Sequence, residues 1–373
     1  MMMTDTTKSD FKPDTRLWSA KIRKLTPYVA GEQPKTANVC KLNTNENPFP
    51  PSPNAIKAMQ DVLAGGAMLR LYPDPESDEL RTALAQYHGL AREQVFVGNG
   101  SDEVLAFVFA CFFIKDRPLL MPDISYSFYP VYAQTFGVDT QTIPLKDDFS
   151  IDVDDYRMPS GGIIIPNPNA PTGILLGLDG VAKLAKEHPN SVIVIDEAYI
   201  DYADKSASAV SLIDEFDNLL VVQTFSKSRS LAGLRVGMAF GSANLISALS
   251  TYKNSFNSYP LDRLAQAGAL ASLQDDEYFE QQRQALIALR HELTAGLLAL
   301  GFDVLPSSAN FVFAKPNHAT LSAQEIFEKL REQGVMVRHW DKPRIKDYLR
   351  ITVGTDEQNA RLIDALHKIL LED

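Results

Sequence analysis

Two uninterrupted apolar, largely β-branched runs, residues 192–195 and 219–222, stand out from the mixed pattern of this chain, and polar residues appear only where each run ends. Runs of this kind belong to strands buried on both faces of a parallel sheet. Similar runs at 94–97, 118–121, 162–165 and 236–240 extend the series. Helical patterns fall between them, one being the segment 77–88, with a capping serine at its start and Gly89 after it. Strands alternating with helices imply right-handed crossovers and a mostly parallel α/β sheet flanked by helices.

From about Asp275 the pattern turns to long helices followed by short strands at 310–313, 335–338 and 349–353. This shift predicts a second, smaller α+β domain. The expected division is an N-terminal arm over 1–44, a large domain over 45–270 and a small domain over 271–373. No repeat, low-complexity tract or Gly/Ser linker separates them, so the domains should pack closely.

Composition narrows the partners. With 36 basic and 47 acidic residues among 373, the net charge of −11 argues against nucleic acid or an anionic membrane, and leaves any anionic ligand to local arginines. The longest apolar run, 104–114, has eleven residues against the roughly twenty a bilayer needs, and reads as a core helix. The opening MMMTDTTKSD lacks the pattern of a secretory signal. Two cysteines, Cys40 and Cys111, make no disulfide framework, so a reducing cytoplasm is expected. Six unclustered histidines predict no metal site.

The chemistry lies at the strand ends. In open α/β sheets ligands bind outside the carboxyl ends of the strands, which would bring Asp196, Tyr199, Ser226 and Lys227 to one crevice. That set suits pyridoxal phosphate. A buried Asp196 would keep a pyridinium N–H protonated. Lys227 would form the Schiff base and shuttle a proton, and Tyr199 would donate to the phenolic oxygen. Arg235, eight residues after Lys227, offers a planar fork to the phosphate, with Ser226 as a second donor. Gly98-Asn99-Gly100-Ser101-Asp102 is a glycine-rich turn opening into a helix, where the N–H groups of Ser101 and Asp102 would meet the same phosphate.

With these residues the chain resembles the fold-type I pyridoxal phosphate aminotransferases. Asn45-Glu46-Asn47-Pro48, Gly100-Ser101-Asp102-Glu103, Asn167-Pro168-Asn169-Ala170-Pro171-Thr172-Gly173, Asp196-Glu197-Ala198-Tyr199, Ser226-Lys227 and Leu349-Arg350-Ile351-Thr352-Val353-Gly354 follow the family's order. The resemblance covers the chain from about Leu25 to the last helix. The opening Leu25-Thr26-Pro27-Tyr28 and the ending GVMVRHW…YLRITVGT resemble the branch that acts on histidinol phosphate. The family likeness implies that Tyr126 stacks on the cofactor ring, that Arg350 and Arg338 receive substrate anions, and that Tyr28, Asn45 and Tyr259 line the substrate pocket. It also implies a homodimer with shared sites, in which Tyr72 reaches the cofactor phosphate of the neighbouring subunit. Two departures stand out. The family's Asn-Pro-Thr-Gly reads Ala170-Pro171-Thr172-Gly173 here, leaving Asn169 or Asn167 to reach the phenolic oxygen, and Leu71 replaces an arginine before Tyr72-Pro73.

The expected activity is transamination of L-histidinol phosphate with 2-oxoglutarate. A sister transaminase for aromatic or dicarboxylic amino acids and a lyase similar to threonine-phosphate decarboxylase are the enzymatic rivals. A transcription regulator with an aminotransferase-like domain would need a DNA-binding domain within the roughly 40 residues before Asn45.

Overall fold

The computed structural model describes residues 14–28, 31–33, 38–113 and 116–371. The N-terminal segment read for a signal, part of the expected arm, and Ile114 at the end of the apolar run lie outside the described residues. In chain order the strands are β1 (Cys40–Lys41), β2 (Val95–Asn99), β3 (Leu119–Pro122), β4 (Thr140–Ile143), β5 (Gly162–Pro166), β6 (Ile193–Asp196), β7 (Leu219–Thr224), β8 (Val236–Gly241), β9 (Phe302–Val304), β10 (Phe311–Pro316), β11 (Val335–Met336), β12 (Arg338–His339) and β13 (Leu349–Thr352).

Seven of them form one sheet in the order β2-β8-β7-β6-β5-β3-β4. From β7 to β4 every pairing is parallel, whereas β8 runs antiparallel to both its neighbours. The apolar runs supply both faces by alternation: Ile193, Ile195, Leu219 and Val221 join one core, and Val194, Leu220 and Val222 the other. β4 has no counterpart among the expected strands. It lies at the sheet edge with Thr140, Gln141 and Thr142 exposed, so burial leaves no apolar run to read.

Residues 335–338 do not form the one strand expected of them. Val335 and Met336 pair with β1, while Arg338 and His339 pair with β13, because the two halves belong to different sheets. β12, β13, β10 and β9 make a four-stranded antiparallel sheet. Its core takes Leu286, Leu289, Leu293 and Leu297 from the helix Asp276–Ala299, together with Cys40 and Leu42. The helix Arg263–Gln274 crosses the expected division at 270/271, yet its Ala265, Ala269 and Leu273 belong to the large-sheet core, so the change of core comes at Asp275.

The segment 77–88 is helical over Asp78–His88, but Ser77 does not cap it. Ser77 is left-handed (φ 50°), and the Asp78 N–H donates to Asp74 Oδ2 at 2.7 Å instead. Among the described residues no helix is long and apolar enough to cross a membrane, and no group of three or more metal-ligating side chains occurs.

Candidate active site

The carboxyl ends of β2, β3, β5, β6 and β7 open on a cavity of about 730 Å³ between the seven-stranded and four-stranded sheets. Arg235 reaches the same rim by another route: β8 is reversed, so its first residue, and Arg235 just before it, lie at the edge where the parallel strands end.

At the β2 end the helix Gly100–Phe112 begins directly after the strand, so its first N–H groups face the cavity. Arg235, itself left-handed (φ 55°), lays its guanidinium across that terminus and donates from Nη2 to Asp102 Oδ2 at 2.8 Å. Gly100 has φ 82°, and a Cβ there would stand 2.9 Å from Arg235 Cζ. Gly237 on β8 is equally constrained, since a Cβ would meet the backbone of Gly100 and Ser101. Asp102 is fixed further by the Tyr126 hydroxyl, which donates to Oδ1 at 3.2 Å. Ser226 Oγ lies 2.9 Å from Thr224 Oγ1, which is also 3.1 Å from the Val236 carbonyl, and this pair of hydroxyls fixes the Ser226 side chain on the cavity wall. Backbone donors, a hydroxyl and a guanidinium around a glycine cradle are the donor set a phosphate requires.

On the cavity floor Asp196 ends β6, 5% exposed. Tyr129 Oη donates to its Oδ2 at 2.7 Å and the Ala198 N–H to its Oδ1 at 3.3 Å. Burial pushes this carboxyl up to about 6, against the pull of those hydrogen bonds. No cation among the described residues pairs with it, so it suits a protonated ring nitrogen. Lys227 Nζ lies 3.4 Å from the Thr44 carbonyl and 5.8 Å from the Tyr199 ring centroid. Asn45, buried and left-handed (φ 55°), donates from Nδ2 to Tyr199 Oη at 3.0 Å. With its oxygen so engaged, the Tyr199 hydroxyl keeps its proton for another acceptor. The same asparagine accepts from Thr352 Oγ1 at 3.1 Å and, at its carbonyl, from Asn310 Nδ2 at 2.9 Å, tying the large-sheet floor to the small sheet.

Arg350 and Arg338 reach the cavity from β13 and β12, with Tyr28 on the same lining. Burial draws the Arg350 guanidinium below the usual arginine range, and the neighbouring Arg338 adds to this.

Four residues named from the sequence stand elsewhere. Asn169 is buried but does not line the cavity: its Nδ2 donates to the Ile124 carbonyl (3.1 Å) and Thr172 Oγ1 (3.0 Å). Asn167 is likewise engaged, with the backbone of Leu176. Ala170 occupies the lining position instead, so neither asparagine reaches the floor in this turn. Tyr72 and Tyr259 also lie outside the cavity, stacked on each other at 4.6 Å on the surface. Two further residues at the site, Tyr129 and Trp340, are not among those the sequence singled out. Tyr129 is buried like any core aromatic and opens the helix Tyr129–Phe136, three residues after Tyr126.

The description Aminotransferase class I and II matches residues 37–366. A Psychrobacter arcticus protein named histidinol-phosphate aminotransferase 2 is 66% identical over 366 residues, 96% of this chain and 97% of that protein. An Acinetobacter baumannii histidinol-phosphate aminotransferase is 57% identical over 357 residues, 95% and 98% of the two chains. Among solved structures, histidinol-phosphate aminotransferase from Sinorhizobium meliloti in complex with pyridoxal-5'-phosphate shares the fold at TM-score 0.86 and 22% identity, covering 96% of this chain and 98% of that one. By these matches across nearly its full length, the chain belongs to the aminotransferase class I and II family.

Proposed function

We propose that this chain is a pyridoxal phosphate-dependent transaminase that moves an amino group between L-histidinol phosphate and 2-oxoglutarate, giving imidazole-acetol phosphate and glutamate, and that it acts as a cytoplasmic homodimer. The observation that carries the substrate half is the pair Arg338 and Arg350 in the cavity that holds Lys227: neither has a carboxylate partner among the described residues, so both are free for an anionic substrate group. The relatives at 66% and 57% identity carry that activity in their names.

Bound over the floor, the cofactor supplies an electron sink for the bond broken at the substrate α-carbon. The chain's residues do the rest. Arg235, Ser226 and the first N–H groups of the helix Gly100–Phe112 hold the phosphate, and Asp196 holds the proton on the ring nitrogen. Tyr199, its oxygen engaged by Asn45, donates to the phenolic oxygen. Lys227 would hold the cofactor through its amine and would move the proton at the substrate α-carbon. Tyr126 covers the ring. The exposure of Tyr72 (77%) beside Tyr259 supports the dimer, in which Tyr72 serves the partner's phosphate.

The test is a spectroscopic half-reaction screen of the holoenzyme with histidinol phosphate, glutamate, phenylalanine and threonine phosphate. Histidinol phosphate and glutamate should each discharge the visible band. A response to phenylalanine without histidinol phosphate would assign an aromatic transaminase, and carbon dioxide release from threonine phosphate would assign a lyase.

A further inference from the structure

β12 and β13 pair with Arg338 directly opposite Arg350. Two guanidiniums therefore leave neighbouring strands on one face, and like charges so opposed repel. What bridges them is Trp340. Its ring centroid lies 5.4 Å from Arg338 Cζ and 5.2 Å from Arg350 Cζ. Arg350 also rests on the Phe311 ring at 5.4 Å, and its Nη2 donates to the Asn43 carbonyl at 2.8 Å. Its Nε is buried without a partner. An aromatic face attracts a guanidinium while using none of its N–H donors, so the two forks are held near one another and still open to a ligand.

We infer that Trp340 is a positioning residue that makes Arg338 and Arg350 converge on a single phosphate monoester dianion, and so sets the preference for a phosphate-bearing substrate over one with a side-chain carboxylate. A phosphate offers three oxygens and close to two charges, enough to engage both forks; a carboxylate is satisfied by one. Removing the indole lets the cations move apart, which weakens the two-cation ligand more than the one-cation ligand. The substrate preference rests on the transaminase reading, whereas the anion site does not. Trp340 also packs beside Ile345 and Phe313, so its replacement must keep an apolar body there.

The experiment uses the holoenzyme. The chain has two tryptophans, and the other, Trp18, is not part of the cavity lining. In a Trp18→Phe background, titration with inorganic phosphate should change Trp340 emission saturably, and Arg350→Ala should abolish the change. Trp340→Leu should raise the KM for histidinol phosphate roughly tenfold, with kcat within about twofold and the KM for glutamate within about threefold. Trp340→Phe, which keeps an aromatic face, should recover most of the loss. An equal rise in both KM values, an effect on kcat alone, or Phe and Leu variants that behave alike would overturn the inference. So would wild-type affinity of Trp340→Leu for inorganic phosphate by calorimetry. If the wild-type enzyme does not turn over histidinol phosphate, the transaminase reading fails, and the phosphate titrations still decide the site.

Discussion

The ordinary carboxyl value for Asp196 is 3.8, and burial moves it to about 6 in the fold. The folded chain without cofactor therefore holds this proton to higher pH than the unfolded chain. Its contribution to stability is present below about pH 4 and is lost as pH rises through about 6, leaving a buried charge that costs about 3 kcal/mol at neutral pH. Cofactor-free Asp196→Asn should then melt above the cofactor-free wild type at pH 8, with the two converging towards pH 4. Coincident melting at pH 8 would mean that the carboxylate is not desolvated as described. With cofactor the ranking should change, since Asp196→Asn loses the charge opposite the ring nitrogen and with it most turnover. Lys227→Ala should lose turnover by orders of magnitude. Borohydride treatment of the wild type should attach the cofactor to one peptide, the one containing Lys227; attachment elsewhere would remove its assigned role. Asp196, Tyr199 and Lys227 stood out in the sequence because they follow the apolar runs of β6 and β7, and Arg235 because it directly precedes that of β8. Tyr129 and Trp340 did not, since an aromatic among aromatics carries no mark of whether its hydroxyl or its ring face has work to do. Where the Asn169 amide lies could not be read either, since its partners, the Ile124 carbonyl and Thr172 Oγ1, are set by the fold of the turn.

At the scale of elements, the reversed strand β8 decides the anion end of the cavity. It delivers Arg235 from its amino end while Gly237, one residue inside it, lets the helix Gly100–Phe112 approach closely. Gly100→Ala would place a Cβ against the Arg235 guanidinium at a backbone angle that disfavours alanine by roughly 1–2 kcal/mol. We expect this variant to fold, to lose a few degrees of melting temperature, and to bind pyridoxal phosphate at least tenfold more weakly in an absorbance titration. Affinity within twofold of wild type would show that the cradle does not depend on this contact. The buried strands were legible because both of their faces are apolar. The edge strand β4 and the divided stretch 335–338 were not, because exposure in one case and a change of partner sheet in the other leave no regular pattern.

At the scale of the molecule, Tyr72 stacks on Tyr259, and Met68, Leu69 and Leu71 close by in sequence are exposed too, the kind of apolar surface that the proposed dimer would cover. Mixing inactive Lys227→Ala with a severely impaired Tyr72→Phe protein, under conditions of subunit exchange, should restore activity, because a mixed dimer contains one site free of both lesions. Confirmed mixed dimers with no gain over the parents would mean that Tyr72 acts within its own chain or not at all. Within one chain, the two sheets communicate through Asn45, which touches Thr352 and Asn310 on one side and the Tyr199 hydroxyl on the other. Binding at the arginines of the small sheet and hydrogen bonding at the floor of the large one thus share a single amide. Any factor by which a seated anion tightens the hold of Tyr199 on its acceptor must return, by thermodynamic reciprocity, as the same factor in the affinity for the anion.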